Sequence, residues 1–157
     1  MALLSLFCAA LLPLPIGLTA NVNDPMSHGM LGDGLLSLDE AIRLANGTLT
    51  MAQLSAAEQA QVTGTGMVVE AIAVDPMTTP MIMVQAPLTD VMGMGMMGGP
   101  RLTITGMGMG GPGMNMVMLQ GGTNAHVLAL RSHHVTVMGF QFMGGQVGVD
   151  AAMMPRT

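Results

Sequence analysis

From Val68 onward the apolar residues recur with a period of two rather than 3.6, in short runs separated by glycine. The runs predict strands at Val68–Val74, Met81–Gln85, Arg101–Thr105, Met116–Gln120, His126–Arg131 and Val135–Phe142, each bounded by Gly, Pro, Asn or Asp. In "RLTITG" Leu102 and Ile104 alternate with Thr103 and Thr105, and in "VTVMGFQF" Val135 and Val137 alternate with Thr136. After Gly139 the parity shifts and Phe140 and Phe142 become the apolar pair, which marks a bulge or a bend where the chain turns a corner. Short strands turned by single glycines, with no helices between them, exclude a doubly wound α/β sheet. They leave a sandwich, a barrel or a β-solenoid. The echo of "LTITGMGMGG" in "VTVMGFQFMGG" favours stacked coils. Its two copies begin roughly thirty residues apart, long for one coil, so a loop insertion is expected around Gly110–Asn115.

The segment before the strands is built differently. In "GDGLLSLDEAIRLANGTL", Gly32 to Leu49, Ser37 and Glu40 form a capping box, each side chain placed to accept from the other's backbone N–H. Asp39 and Glu40 suit the positive end of the helix dipole, and Arg43 lies further along. Leu38, Ala41, Ile42 and Ala45 make one apolar stripe, and Asn46-Gly47 supplies the stop. A second box at Ser55 and Glu58 opens a shorter helix toward Val62. Helices this short are not stable alone, so each must lie on something.

Half of the 157 residues are apolar, enough for the core of one domain. There are 21 Met, 22 Gly, no Trp or Tyr, and the four cationic side chains, Arg43, Arg101, Arg131 and Arg156, are all arginine. A net charge of −5 with so few cations excludes a basic patch for phosphates, so nucleic acid is not expected as a partner, nor an anionic membrane surface. The opening "MALLSLFCAALLPLPIGLTA" reads as a secretory signal over residues 1–20, with small residues Thr19 and Ala20 at the expected cut. Pro13 and Pro15 argue against a spanning helix, so no membrane span is expected in the mature chain. The one cysteine, Cys8, lies inside this leader, which leaves the mature chain without disulfide or thiolate chemistry.

"GDGLLSLDEAIRLAN" resembles the N-terminal signature of bacterial right-handed parallel β-helix proteins, pectate-lyase-like solenoids whose usual form is Cys-Ser-Leu-Arg-Glu-Ala, then Ile, then Ala-Asn. Ser37, Leu38, Glu40, Ala41, Ile42, Ala45 and Asn46 match, whereas Leu36 stands where Cys is common and Asp39 where Arg is common. The later "GTNAHVLALRSHHVTVMGFQFMGG" is similar to the coils that follow in such proteins. The resemblance implies that the helix covers the exposed edge of the first coil. No second cap is legible in "GVDAAMMPRT", so a truncated product or a fragment of a longer surface protein is expected, with a last coil open to edge-to-edge self-association.

Lyases of that kind hold calcium with clustered carboxylates and use Arg or Lys as base. Here Asp75, Asp90 and Asp150 read as scattered, and Arg101 and Arg131 have no carboxylate neighbour in sequence. His126, His133 and His134 are the nearest thing to a metal cluster, but adjacent strand residues face opposite ways, so at most two converge and solvated turn histidines are the expectation. Ser37, Ser55 and Ser132 lack a Ser-His-acid arrangement. Asn46-Gly47-Thr48 fits a glycosylation sequon, though a helix end explains it without a sugar. The steps Met81-Ile-Met83, Met92-Gly-Met94-Gly-Met96-Met97, Met107-Gly-Met109 and Met114-Asn-Met116-Val-Met118 have two readings: soft thioether ligands for Cu(I), or adaptable filler in a biased sequence.

The sequence thus predicts an all-β chain, a right-handed parallel β-helix segment with a short N-terminal α-helical cap, with a β-sandwich as the alternative. Residues 1–20 are expected to be the signal, 21–66 the cap with two short helices, and 67–157 the coils. The expected function is a non-enzymatic, secreted or cell-surface structural or adhesive scaffold that binds a polysaccharide or another surface protein through its lateral face. The alternatives are a Met-rich extracytoplasmic Cu(I) binder and, third, an inactive lyase-like domain. No catalytic, cofactor or resident metal residue is assigned.

Overall fold

The computed structural model describes residues 17–27, 30–92, 102–106, 116–122, 126–132, 134–144 and 147–150. These residues are rich in strands and poor in helices, an all-β arrangement. Among them the strands are β1 (Leu18–Val22), β2 (Val62–Gly64), β3 (Val69–Val74), β4 (Met81–Val84), β5 (Leu102–Thr105), β6 (Val117–Gly121), β7 (His126–Ala129), β8 (Val135–Met138), β9 (Phe140–Gly144) and β10 (Val147–Asp150). The helices are α1 (Leu38–Ala45) and α2 (Ala56–Gln59), with a 3-10 turn at Met51–Gln53 between them.

The strands form three sheets. The first has the order β2-β1-β3-β5-β8, parallel throughout except that β2 runs antiparallel to β1. The second is β4-β6-β9 and the third β7-β10, both parallel. Val91 extends the third by a parallel bridge to Leu130, and Met26 extends the second by one to Met83. From β3 onward the chain therefore visits first, second and third sheet in that order three times, with Val91 standing for the third sheet on the first pass.

Register makes the core. Ala20, Ile72, Ile104 and Val137 are aligned across the first sheet, and Ile82, Leu119 and Phe142 across the second. Alternation along each strand sends these side chains inward, where Ile72, Ile82, Ile104 and Leu119 are buried. The same alternation sends Thr103 and Thr136, which are in register, to the outer side of the first sheet.

The strand expected as one piece from Val135 to Phe142 is two strands in different sheets. Gly139, with φ +76°, breaks them, so the change of parity is a corner. The first strand begins where the leader was expected to end. Leu18–Ala20 pair with both β2 and β3, and Ala20 is buried. Residues 1–16 of the expected leader, and the expected insertion at 110–115, lie outside the described residues.

Helix α1 forms as its caps dictate. The Ser37 hydroxyl accepts from the Glu40 N–H at 3.2 Å, and a Glu40 carboxylate oxygen accepts from the Ser37 N–H at 2.8 Å. The chain leaves the helix through Gly47, at φ +72°. Leu38, Ala41, Ile42 and Ala45 are buried as α1 packs on β1 and β3. Asp39, one of the two departures from the β-helix signature, ties the helix to the later chain by accepting from the Thr89 N–H at 2.8 Å.

Candidate functional site

Three groups of residues have chemistry beyond packing: a pair of buried carboxylates at the starts of α1 and α2, an ion-pair corner on the third sheet, and the outer faces of the first two sheets. None was assembled by the sequence, because each joins residues distant along the chain.

Glu58 and Glu40 both open a helix and are both fully buried. One Glu58 oxygen accepts from the N–H groups of Gly32 at 2.7 Å and Gly34 at 3.3 Å, and the other from Ser55 at 2.7 Å. Burial pushes the Glu58 carboxyl up, but the backbone N–H groups of Ser55, Gly32 and Gly34 outweigh it and hold it below its ordinary value. Glu40 is in the opposite state. Its second oxygen, Oε1, is buried with no hydrogen-bond partner, and burial holds the carboxyl above its ordinary value, with Glu58 and Asp33 pushing the same way. Glu58 thus works as an anionic clasp on the loop before α1, and Glu40 as a cap carrying a poorly solvated charge.

The corner corrects the expectation that the acids are scattered. The Arg131 guanidinium is 3.3 Å from an Asp90 carboxylate oxygen and 3.0 Å from one of Asp150. The ladder supplies the reason: Val91 pairs with Leu130 and Asp150 with Ala129, which stacks three distant residues on neighbouring levels. Asp90 first, then Asp150, raise the Arg131 pKa beyond its already high ordinary value. An arginine held this way is a cation, not a base. Next to it, the Asn46 carboxamide donates to the Asp90 carbonyl at 2.8 Å and accepts from the Met92 N–H at 3.0 Å. The sequon asparagine is therefore a backbone clasp.

The other candidates remain separate. Asp75 closes its own turn by accepting from the Met77 N–H at 2.9 Å. His134 is exposed at a turn, its N–H 3.5 Å from the Ser132 hydroxyl, while His133 and Arg101 lie outside the described residues. Ser37 and Ser55 are helix caps. Among the described residues no three of His, Cys, Asp and Glu converge on a common point, and no helix is long and apolar enough to cross a membrane. An open groove of about 200 Å³ lies between the end of α1 and the start of β3, lined by Leu18, Leu44, Leu49, Met51, Met67 and Val69 among others, none of them titratable.

The outward residues of β5 and β8 in the first sheet, and of all three strands of the second, are uncharged. The first sheet carries Thr103 beside Thr136 and Thr105 beside Met138. The second carries Met81, Met118 and Gln141 in one row and Met83, Gln120 and Met143 in the next. No protein-family model, curated protein or solved structure matches the chain.

Proposed function

We propose that the chain is a right-handed parallel β-helix segment, capped at its N-terminal end by α1, that serves as a secreted or cell-surface structural or adhesive scaffold. The observation that carries the fold reading is the repeated order of visits to three parallel sheets, with aligned apolar ladders facing inward. A β-sandwich would bring mainly antiparallel pairs. The cap reading rests on α1 packing over β1 and β3, on β2 lying along the free edge of β1, and on Asn46 bonding the edge beside Val91.

The functional step rests on the lateral faces. Thr103 and Thr136, neighbours at strand spacing of about 4.8 Å, and Gln120 and Gln141, on diagonal positions of the second sheet, are uncharged donors and acceptors suited to a polyhydroxyl polymer. No catalytic step is assigned to it. The carboxylates of the corner are engaged by Arg131, that of Glu58 by backbone N–H groups on both oxygens, and that of Glu40 by the Ser37 N–H on one.

Affinity electrophoresis of the full chain through gels containing neutral or uronate polysaccharides tests the reading. Retardation by one polymer, abolished in the Thr103→Glu/Thr136→Glu variant, is the expected result. Mobility unchanged by every polymer overturns the polysaccharide arm, and unsaturated product formed from a uronate polymer with calcium overturns the non-enzymatic one.

A further inference from the structure

The described methionines follow a rule that composition alone does not supply. The buried core consists of Leu, Ile, Val and Ala, and no described methionine is among its fully buried members. In the second sheet the division is complete among strand residues with described side chains. Ile82, Val84, Val117 and Leu119 face in, with Phe140 and Phe142 packed beside them, while every long apolar side chain facing out is methionine. Filler methionine belongs in irregular core gaps, where a flexible side chain gains from burial. Met81 is 38% exposed, Met83 39% and Met143 47%, so the hydrophobic effect does not account for their placement.

Register gathers these thioethers. Met81 lies directly beside Met118, Met83 beside both Met26 and Gln120, and Gln120 beside Met143. Neighbouring strands are about 4.8 Å apart and alternate residues along a strand about 6.6 Å apart, so Met81, Met83 and Met118 form a triangle that three flexible side chains can close over one point. Strands β4, β6 and β9 contain no charged residue, which leaves carboxamides and thioethers as the available donors. That donor set suits a soft, monovalent ion and does not suit calcium, magnesium or zinc.

We propose that the outer face of the second sheet is a soft-metal site at which the thioethers of Met81, Met83 and Met118 bind Cu(I) or its analogue Ag(I). Thioethers need no deprotonation to bind, so uptake releases no protons from the ligands. A monovalent cation also adds positive charge to a chain whose net charge is −5. The site requires only the register of β4 with β6 and is independent of the scaffold reading and of any polysaccharide.

The test is titration of the full chain with Ag(I) in chloride-free nitrate buffer, followed by native mass spectrometry and by the ε-methyl NMR resonances of methionine. A parallel series uses Cu(I) against a chromogenic Cu(I) chelator. One bound ion at low stoichiometry, with the Met81, Met83 and Met118 methyls shifting together, is the expected result. Met81→Leu/Met118→Leu conserves volume at one exposed and one half-buried position and should weaken that ion at least tenfold, whereas Met67→Leu should not. No uptake, equal affinity in wild type and double variant, or first shifts confined to methionines of the Gly-Met runs would overturn the proposal. Because the methyl map is read on the wild-type chain, it decides the matter even if the double variant folds poorly.

Discussion

Gly106 lies against Gly139: a Cβ added at Gly106 would fall 2.7 Å from the Gly139 carbonyl oxygen and 3.0 Å from the Val117 side chain. The contact belongs to the corner, where Gly106 donates to the Met138 carbonyl at 2.9 Å and Val117 to that of Gly139 at 3.0 Å. The obstructing atom is backbone held by these bonds, so the strain has no inexpensive relief. Gly106→Ala is expected to destabilise the chain by about 1–3 kcal/mol in urea denaturation. Gly122→Ala, whose added Cβ meets nothing closer than the Val84 carbonyl at 3.8 Å, should be close to neutral. Equal stabilities for the two variants would contradict the tight corner.

Asn46 substitutes for a strand at the edge beside Val91. Asn46→Ala removes the acceptor for the Met92 N–H and the donor to the Asp90 carbonyl, at a cost of about 1 kcal/mol for exposed bonds of this kind. Hydrogen exchange should then accelerate at Met92, while the Val91 N–H, which donates to Ala129 on the inner side, keeps its protection. Unchanged exchange at Met92 would mean that the clasp does not hold in solution.

What the sequence made legible was local. Both capping boxes join residues three positions apart, and the structure forms both; Gly139 announced its corner by a change of parity within one run. Pairing between strands left no such mark. Arg131 meets Asp90 from 41 positions away, a separation set by loop lengths that no local pattern encodes. The same holds for Glu58, whose box was legible but whose hold on Gly32, 26 positions earlier, was not. Leu18–Val22 was obscured because it follows the apolar run of residues 1–17 without a break in the sequence. The methionines read equally well as loop, filler or ligand until register put Met81 beside Met118.

The two buried glutamates give opposite pH dependences. Glu58 is held below its ordinary value of 4.5, so its contribution is present above that pH and is lost as pH falls through the lower folded value. Glu40 is held above 4.5, so its burial cost applies above the folded value and is relieved as pH falls from there toward 4.5. Glu40→Gln retains a capping oxygen and removes the buried charge. It should be neutral or stabilising at pH 7 and should flatten the stability profile above 4.5. Glu58→Gln turns one accepting oxygen into a donor facing a backbone N–H, at a cost of about 1–3 kcal/mol at pH 7. Thermal melts across pH that showed both variants destabilised alike would refute this division.

Arg131 is the cation between Asp90 and Asp150, with part of the ion-paired corner open to solvent. Exposed attractions of this kind weaken as salt screens them, so wild-type thermal stability should decline modestly as sodium chloride is raised from low ionic strength. Arg131→Met retains an apolar stem but leaves the two carboxylates without the cation between them. The variant should therefore melt below wild type at low salt and recover as salt rises, because screening now acts on repulsion. The opposite salt slopes are the diagnostic result. Parallel slopes would show that Arg131 contributes through its packing alone.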